Sequence, residues 1–156
     1  PEYGIPLALQ ALATIRQDYS KAGLILLGVG PEMAASFPDL MPVREHVLLA
    51  GAVPSNVART VMSMLAVFLR PTYFDGDSVS VREALALGIP VVASATGMRP
   101  ESVVTFQVGD CDDLCKKLRE VFGRLLIEIG KPIIRDEDHG SGRVLLDFYR
   151  RILARS

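Results

Sequence analysis

Three acidic side chains, Asp75, Asp77 and Glu83, stand close together in the run RPTYFDGDSVSVRE, residues 70–83. An ionised carboxylate only accepts hydrogen bonds, so it suits a hydroxyl-rich ligand. One carboxylate can take both hydroxyls of a vicinal diol, with about 1.5 to 3 kcal/mol for each charge-assisted hydrogen bond. Between the acids lie Gly76, Ser78 and Val79, leading into a helix start. Backbone N–H groups there have no partner inside the helix and carry partial positive charge, which fits phosphate or sugar oxygens. Amides for a phosphate beside carboxylates for a diol describe a nucleotide-sugar site. The same residues also have a plainer explanation, because Ser80 and Glu83 have the spacing of a capping box, which accounts for both without any ligand.

The surrounding elements must hold that loop at the end of a sheet. Leu65 to Leu69 is a short apolar run that reads as a strand stopped by Pro71, which cannot donate to a sheet ladder. Thr72 to Asp77 is a loop. Ser80 to Glu83 open a helix carrying Ala84, Leu85 and Leu87, with Gly88 as its stop, and Pro90 to Ala93 is the next buried strand. A buried strand feeding a helix through such a loop is where an open parallel sheet holds its ligand, at the carboxyl ends of its strands.

Asp75, seven intervening residues, Glu83 and then ALALGIPVVAS (84–94) resemble the donor-site signature of retaining glycosyltransferases of the GT-B fold, in the large family 4 group. That family has two glutamates at this spacing, then a helix and a Gly-x-Pro-Val-Val strand. The resemblance implies that Glu83 binds the ribose hydroxyls of the nucleotide. It implies too that Asp75, Gly76, Asp77, Ser78 and Val79 meet the donor sugar and diphosphate. Two departures bear on the donor: the first acid is an aspartate, and Gly76-Asp77-Ser78 stands where the family has a Gly-Phe-Gly-like segment, so that Asp77 takes the place of a backbone contact. Arg70-Pro71-Thr72 and Asp75-Gly76-Asp77 are similar to members that build bacterial surface polysaccharides. In the family a lysine just before the glycine matching Gly4, and an arginine before that, neutralise the diphosphate. Here the lysine position is Tyr3, and Arg99 is a nearby cation able to face the diphosphate, although a solvated arginine is the commoner outcome.

Along the rest of the chain, residues 5–19 repeat Ile5, Leu9, Leu12 and Ile15 at helical spacing. Ala22 to Val29 reads as a strand ending in Gly28-Val29-Gly30-Pro31-Glu32. A dinucleotide fingerprint is the alternative there, disfavoured by Met33 at the third glycine position and by Pro31, which lacks an amide. Glycines that merely permit a tight turn also explain the segment. Met33 to Phe37 forms a turn or two before Pro38 and Pro42 interrupt. His46 to Ala50 is a further strand, and Ser55 caps a helix over Asn56 to Met64. By the family resemblance Gly28, Gly30, Gly51 and Val53 line the nucleobase pocket through main-chain groups. Val103 to Val108 is a short strand, and Asp110 to Ile129 a capped amphipathic helix. Residues Lys131 to Gly142 form a polar connector and Val144 to Leu153 a last amphipathic helix.

Composition narrows the field. With 156 residues, 49% hydrophobic and 22% charged, residues 1–156 are expected to form a single domain with an ample core. A net charge of −1 offers no broad attraction to nucleic acid or to an anionic membrane. No transmembrane segment is evident. Cys111 and Cys115, four apart on a helix without nearby histidines, make a poor metal set and read as reduced structural thiols. The alternation of strand and helix gives four or five parallel strands with helices on both faces. This is the α/β, Rossmann-like class expected of the carboxyl-terminal half of a GT-B enzyme. The resulting expectation is a cytoplasmic donor-binding domain, with the inner face of the membrane as a working place for a longer protein. Its substrate is a nucleotide-sugar, with no metal and no separate cofactor, and a saccharide or lipid-linked acceptor arrives through an amino-terminal domain outside this chain. Alternatives are a nucleotide-sugar epimerase domain of the same fold and a non-catalytic nucleotide-binding module.

Overall fold

The computed structural model describes residues 2–129. Elements alternate: α1 (Ile5–Ile15), β1 (Leu24–Leu27), two 3-10 segments (Pro31–Ser36 and Pro38–His46), β2 (Val47–Gly51), α2 (Ser55–Met62), β3 (Phe68–Arg70), α3 (Val79–Ala86), β4 (Val91–Ser94), β5 (Val104–Phe106) and α4 (Cys111–Ile129). The expected connector and last helix, from Lys131 onward, lie outside the described residues.

Among the described residues all five strands are in parallel pairs, as expected, but in two ladders rather than one sheet. β1 pairs with β2, and β4 lies between β3 and β5. The period of two along each strand assigns the faces. On β4, Val92 joins Leu7, Ala11 and Ile15 of α1 and Leu114 and Leu118 of α4, whereas Val91 and Ala93 join Met62 of α2 and Val81 and Ala84 of α3. On β2, Val47 and Leu49 turn to α1, and Leu48 turns to Val61 of α2. Helices therefore cover both faces. Fully burying a valine or leucine in such layers contributes about 1.5 to 3 kcal/mol.

The first helix spans both ladders because it carries two apolar stripes. Ile5, Leu9 and Leu12 pack over β1 and β2, while Leu7, Ala11 and Ile15 pack over β4, β5 and α4. The single stripe read from the sequence therefore splits, with Ile15 belonging to the second. Gly4 admits α1 to its place. It has φ of 63°, and a Cβ there would sit 1.9 Å from the Pro71 carbonyl oxygen.

Several local expectations shift. His46 ends a 3-10 segment instead of opening β2, and the prolines do not simply interrupt: Pro38 stands at the start of that segment, where its missing N–H costs nothing, and Pro42 inside it. The helix expected over Asn56 to Met64 runs Ser55–Met62, its N-cap is Pro54, and Ser55 supplies no cap. α4 is capped as expected, with the Asp113 amide donating to Asp110 Oδ1 at 2.9 Å.

Candidate functional site

β3 ends at Arg70, and residues 71–78 form the loop into α3. Helix α3 begins earlier than its capping-box pattern implies. Its N-cap is Ser78, without a side-chain cap, and Ser78 Oγ shares a 3.1 Å hydrogen bond with Ser80 Oγ. Glu83 does not turn back onto its own helix end. It reaches Arg59 Nη2 on α2 at 3.3 Å, with 40% of its side chain exposed. The plain capping explanation is thus set aside by the geometry, and the first-turn amides of α3 have no side-chain cap on them.

Asp75 is placed quite differently. Its side chain is 11% exposed, and one oxygen, Oδ2, accepts from Arg70 Nε at 3.1 Å, from Arg99 Nη2 at 3.0 Å and from Thr72 Oγ1 at 3.3 Å. Burial pushes this carboxyl up, but the hydrogen bonds and charges of Arg70 and Arg99 outweigh it and hold the group below the usual carboxylate range. Arg99 is the more enclosed of its two arginine partners. Its side chain is 6% exposed, its Nε donates to the Ser94 carbonyl at 3.2 Å, and its Nη1 is buried with no hydrogen-bond partner. Arg99 is therefore a buried group of the site and not a solvated one. Arg70 lies over the ring of Tyr3, 5.7 Å from the centroid, which anchors its charge beside the start of α1.

The loop after β4 closes on the loop after β3. Asp77 and Met98 form a parallel bridge, and the Met98 amide donates to the Gly76 carbonyl at 3.2 Å. Gly97 makes this approach possible: its φ is +60°, and a Cβ would meet the Asp75 carbonyl oxygen at 2.1 Å. Asp77 itself faces solvent and accepts from Arg82 Nε at 2.6 Å, a hydrogen bond that lowers its pKa ahead of the arginine's charge. Val79 is exposed at the helix start. Behind the site, Ser94 is fully buried and its Oγ donates to the carbonyl of Thr72, itself buried.

The second group of expected residues gathers at the carboxyl ends of β1 and β2. The Gly28 amide donates to the Gly51 carbonyl at 2.7 Å, and the Gly51 amide to the Val29 carbonyl at 2.9 Å. Gly30 Cα lies 3.8 Å from where a Gly51 Cβ would be. Val53 is half-buried two residues further on. The Glu83–Arg59 pair joins α3 to α2, the helix that leaves β2.

Sequence reasoning missed Arg59, Thr72 and Ser94 as members of this arrangement, and had Arg70 only as part of the Arg70-Pro71-Thr72 wording. Arg59 and Ser94 have no local signal: Arg59, for one, is on a different helix, 24 residues from its partner. Only the proximity of Arg70 and Thr72 to Asp75 in the chain hinted at theirs.

The two free cysteines do not join the site. Burial, and then Cys115, push the Cys111 thiol up to about 11, the reverse of a reactive thiolate.

A parallel α/β core with helices on both faces, and with polar loops gathered where its strands end, defines a Rossmann-like domain of the kind paired in GT-B enzymes. The chain belongs to the family described as glycosyl transferases group 1, whose family model matches residues 1–124. It is similar to the GDP-mannose-dependent alpha-(1-6)-phosphatidylinositol monomannoside mannosyltransferase of Mycolicibacterium smegmatis, 29% identical over 122 residues, covering 72% of this chain and 32% of that protein. It is likewise similar to the protein of the same description from Mycobacterium tuberculosis, 30% identical over 112 residues, covering 66% of this chain and 29% of that one. This chain thus spans less than a third of these relatives' length. Among solved structures, the sucrose-phosphate synthase of Thermosynechococcus elongatus superposes with a TM-score of 0.63 at 20% identity, covering 99% of this chain and 43% of that one, a likeness of fold. Among the described residues no helix is long and apolar enough to cross a membrane.

Proposed function

We propose that this chain is the nucleotide-sugar-binding domain of a retaining glycosyltransferase. In this reading it is one domain of a larger two-domain enzyme. That enzyme moves a sugar from a nucleotide-sugar to a saccharide or lipid-linked acceptor held by the other domain, and the present chain alone is inactive. The bond between the sugar's anomeric carbon and the diphosphate oxygen breaks, the bond to the acceptor oxygen forms on the same face, and the acceptor's hydroxyl proton passes to the departing diphosphate.

The observation that carries this reading is the pairing of a largely enclosed arginine cluster with a half-exposed carboxylate on α3. Arg99 and Arg70 around Asp75 leave a net positive charge beside the first turn of α3, while Glu83 on that helix stays half-exposed. Positive groups fixed in advance stabilise the diphosphate as it leaves with its charge. In this assignment Arg99 and the segment Asp75, Gly76, Asp77, Ser78 and Val79 meet the diphosphate and sugar. Glu83 takes the ribose hydroxyls, and Gly28, Gly30, Gly51 and Val53 border the base. Tyr3, at the family's lysine position, supports the reading by carrying Arg70 on its ring, so that the cation comes from a neighbouring strand.

The relatives' descriptions make GDP-mannose the first donor to test and a lipid-linked acceptor the first acceptor class. Bacterial surface polysaccharide synthesis is the role that fits such an acceptor, and the cytoplasmic side of the membrane the place. A calorimetric panel of GDP-, UDP-, ADP- and TDP-sugars on the full chain, with any flanking sequence it naturally carries, is expected to show saturable binding of one nucleotide class. Silence across the panel overturns the assignment.

A further inference from the structure

Resting on the donor-site reading above, we propose that Asp75 is a positioning residue: its carboxylate fixes the Arg99 and Arg70 guanidiniums as the cationic end of the site. Three donors converge on its Oδ2, from Arg70, Arg99 and Thr72, at 3.0 to 3.3 Å. Oδ2 is committed to two cations and a hydroxyl, on a side chain only 11% exposed, so its lone pairs are taken up within the protein. Holding the arginines is the use its surroundings show.

The arginine it holds is the unusual one. Arg99 is pinned through two of its three nitrogens, Nε to the Ser94 carbonyl and Nη2 to Asp75, while Nη1 is buried without a partner. Leaving a buried donor unmatched is unfavourable, and native proteins seldom do it without a use for the group. A guanidinium locked on one side and unmatched on the other is ready for an acceptor that comes with the ligand. Two arginines against one carboxylate make that acceptor an anionic oxygen, such as a phosphoryl oxygen. Backbone packing adds to the lock, since Gly97 and Met98, directly before Arg99, lie against Asp75, Gly76 and Asp77.

The distinction is measurable because a sugar contact and a held cation respond to different ligands. Calorimetry on the full chain compares the nucleotide-sugar that the panel identifies with its sugar-free nucleoside diphosphate, for the wild type, Asp75→Asn, Arg99→Lys and the double variant. Asp75→Asn is expected to weaken both ligands by the same factor, about tenfold, and the double variant to lose clearly less than the product of the two single losses. Asp75→Glu, which keeps the charge, is expected to bind the sugar-free diphosphate within about threefold of the wild type. It carries the test should Asp75→Asn not fold.

Loss confined to the sugar-bearing ligand, or full additivity with Arg99→Lys, overturns the positioning role and leaves the donor-site reading standing. A wild type that binds no nucleotide overturns the donor-site reading itself.

Discussion

Asp75 and Glu83 bracket one short motif, and the fold puts them in opposite circumstances. Asp75 lies in the loop where β3 and β4 end, nearly out of solvent, with two arginines and a threonine on one oxygen. Glu83 lies on the outer side of α3 with 40% of its side chain in water and a single arginine at 3.3 Å. An ion pair held away from water is costly to break, because removing one partner strands the other; an exposed pair exchanges its partner for solvent at little cost. The loop end is thus built to be rigid, and the helix end to remain available.

The sharpest way to break this contrast is to remove one arginine from each end. Arg99→Met, which keeps much of the volume, is expected to lower unfolding free energy by about 3 kcal/mol in a denaturant titration. Arg59→Met is expected to change it by less than about 0.5 kcal/mol. Equal effects would mean that the two pairs do not differ as described.

Gly97→Ala probes the rigid end through its backbone. The left-handed φ and the 2.1 Å approach to the Asp75 carbonyl are expected to cost about 2 kcal/mol of stability. Nucleotide affinity should fall with it, because Arg99 stands two residues on. An alanine variant with wild-type stability would show that this approach is loose.

At the open end, Glu83→Gln is expected to leave stability within about 0.5 kcal/mol of wild type and to weaken nucleotide binding by about tenfold. A nucleotide lacking ribose hydroxyls should already bind the wild type that much less well, and should lose nothing further in the variant. Independent losses from ligand and protein would remove Glu83 from the ribose.

The smallest effect is in acid. The Asp75 carboxyl titrates below its unfolded value, so its contribution to stability is complete above about pH 4 and is lost as pH falls through the folded value. Asp77 is lowered by Arg82 and acts in the same direction, but in open solvent. Its share is expected to disappear in high salt while that of Asp75 persists. Unfolding curves of Asp75→Asn and Asp77→Asn between pH 2 and pH 5, at low and high salt, check this; identical salt responses would contradict it.

Much of the fold was legible in the chain. Short apolar runs mark where β1, β2, β4 and β5 lie, while β3, expected over Leu65 to Leu69, begins three residues later at Phe68 and takes in Arg70; the alternation with helices points to their parallel sense. The boundaries moved where local patterns had competitors. Ser55 and Ser80 look like caps, yet Pro54 and Ser78 take those positions, and neither helix start has a side-chain cap. The division into two ladders was not legible, since strand pairing is a matter of neighbours distant in sequence. The two stripes of α1 were present in the sequence but gained meaning only with both ladders beneath them.

The site divides along the same line. Order and residue type along the chain supplied the strand, the glycine loop, the acids with seven residues between them and the helix that follows, because each is a local pattern read by backbone geometry and apolar spacing. Tertiary structure alone decided which acid is enclosed and which is open, brought Arg99 from beyond β4 and Arg59 from α2, and set Tyr3 beneath Arg70. Those outcomes depend on distance in space and on exclusion of water, and the strength of a charge interaction depends on both, so no reading of neighbouring letters contains them.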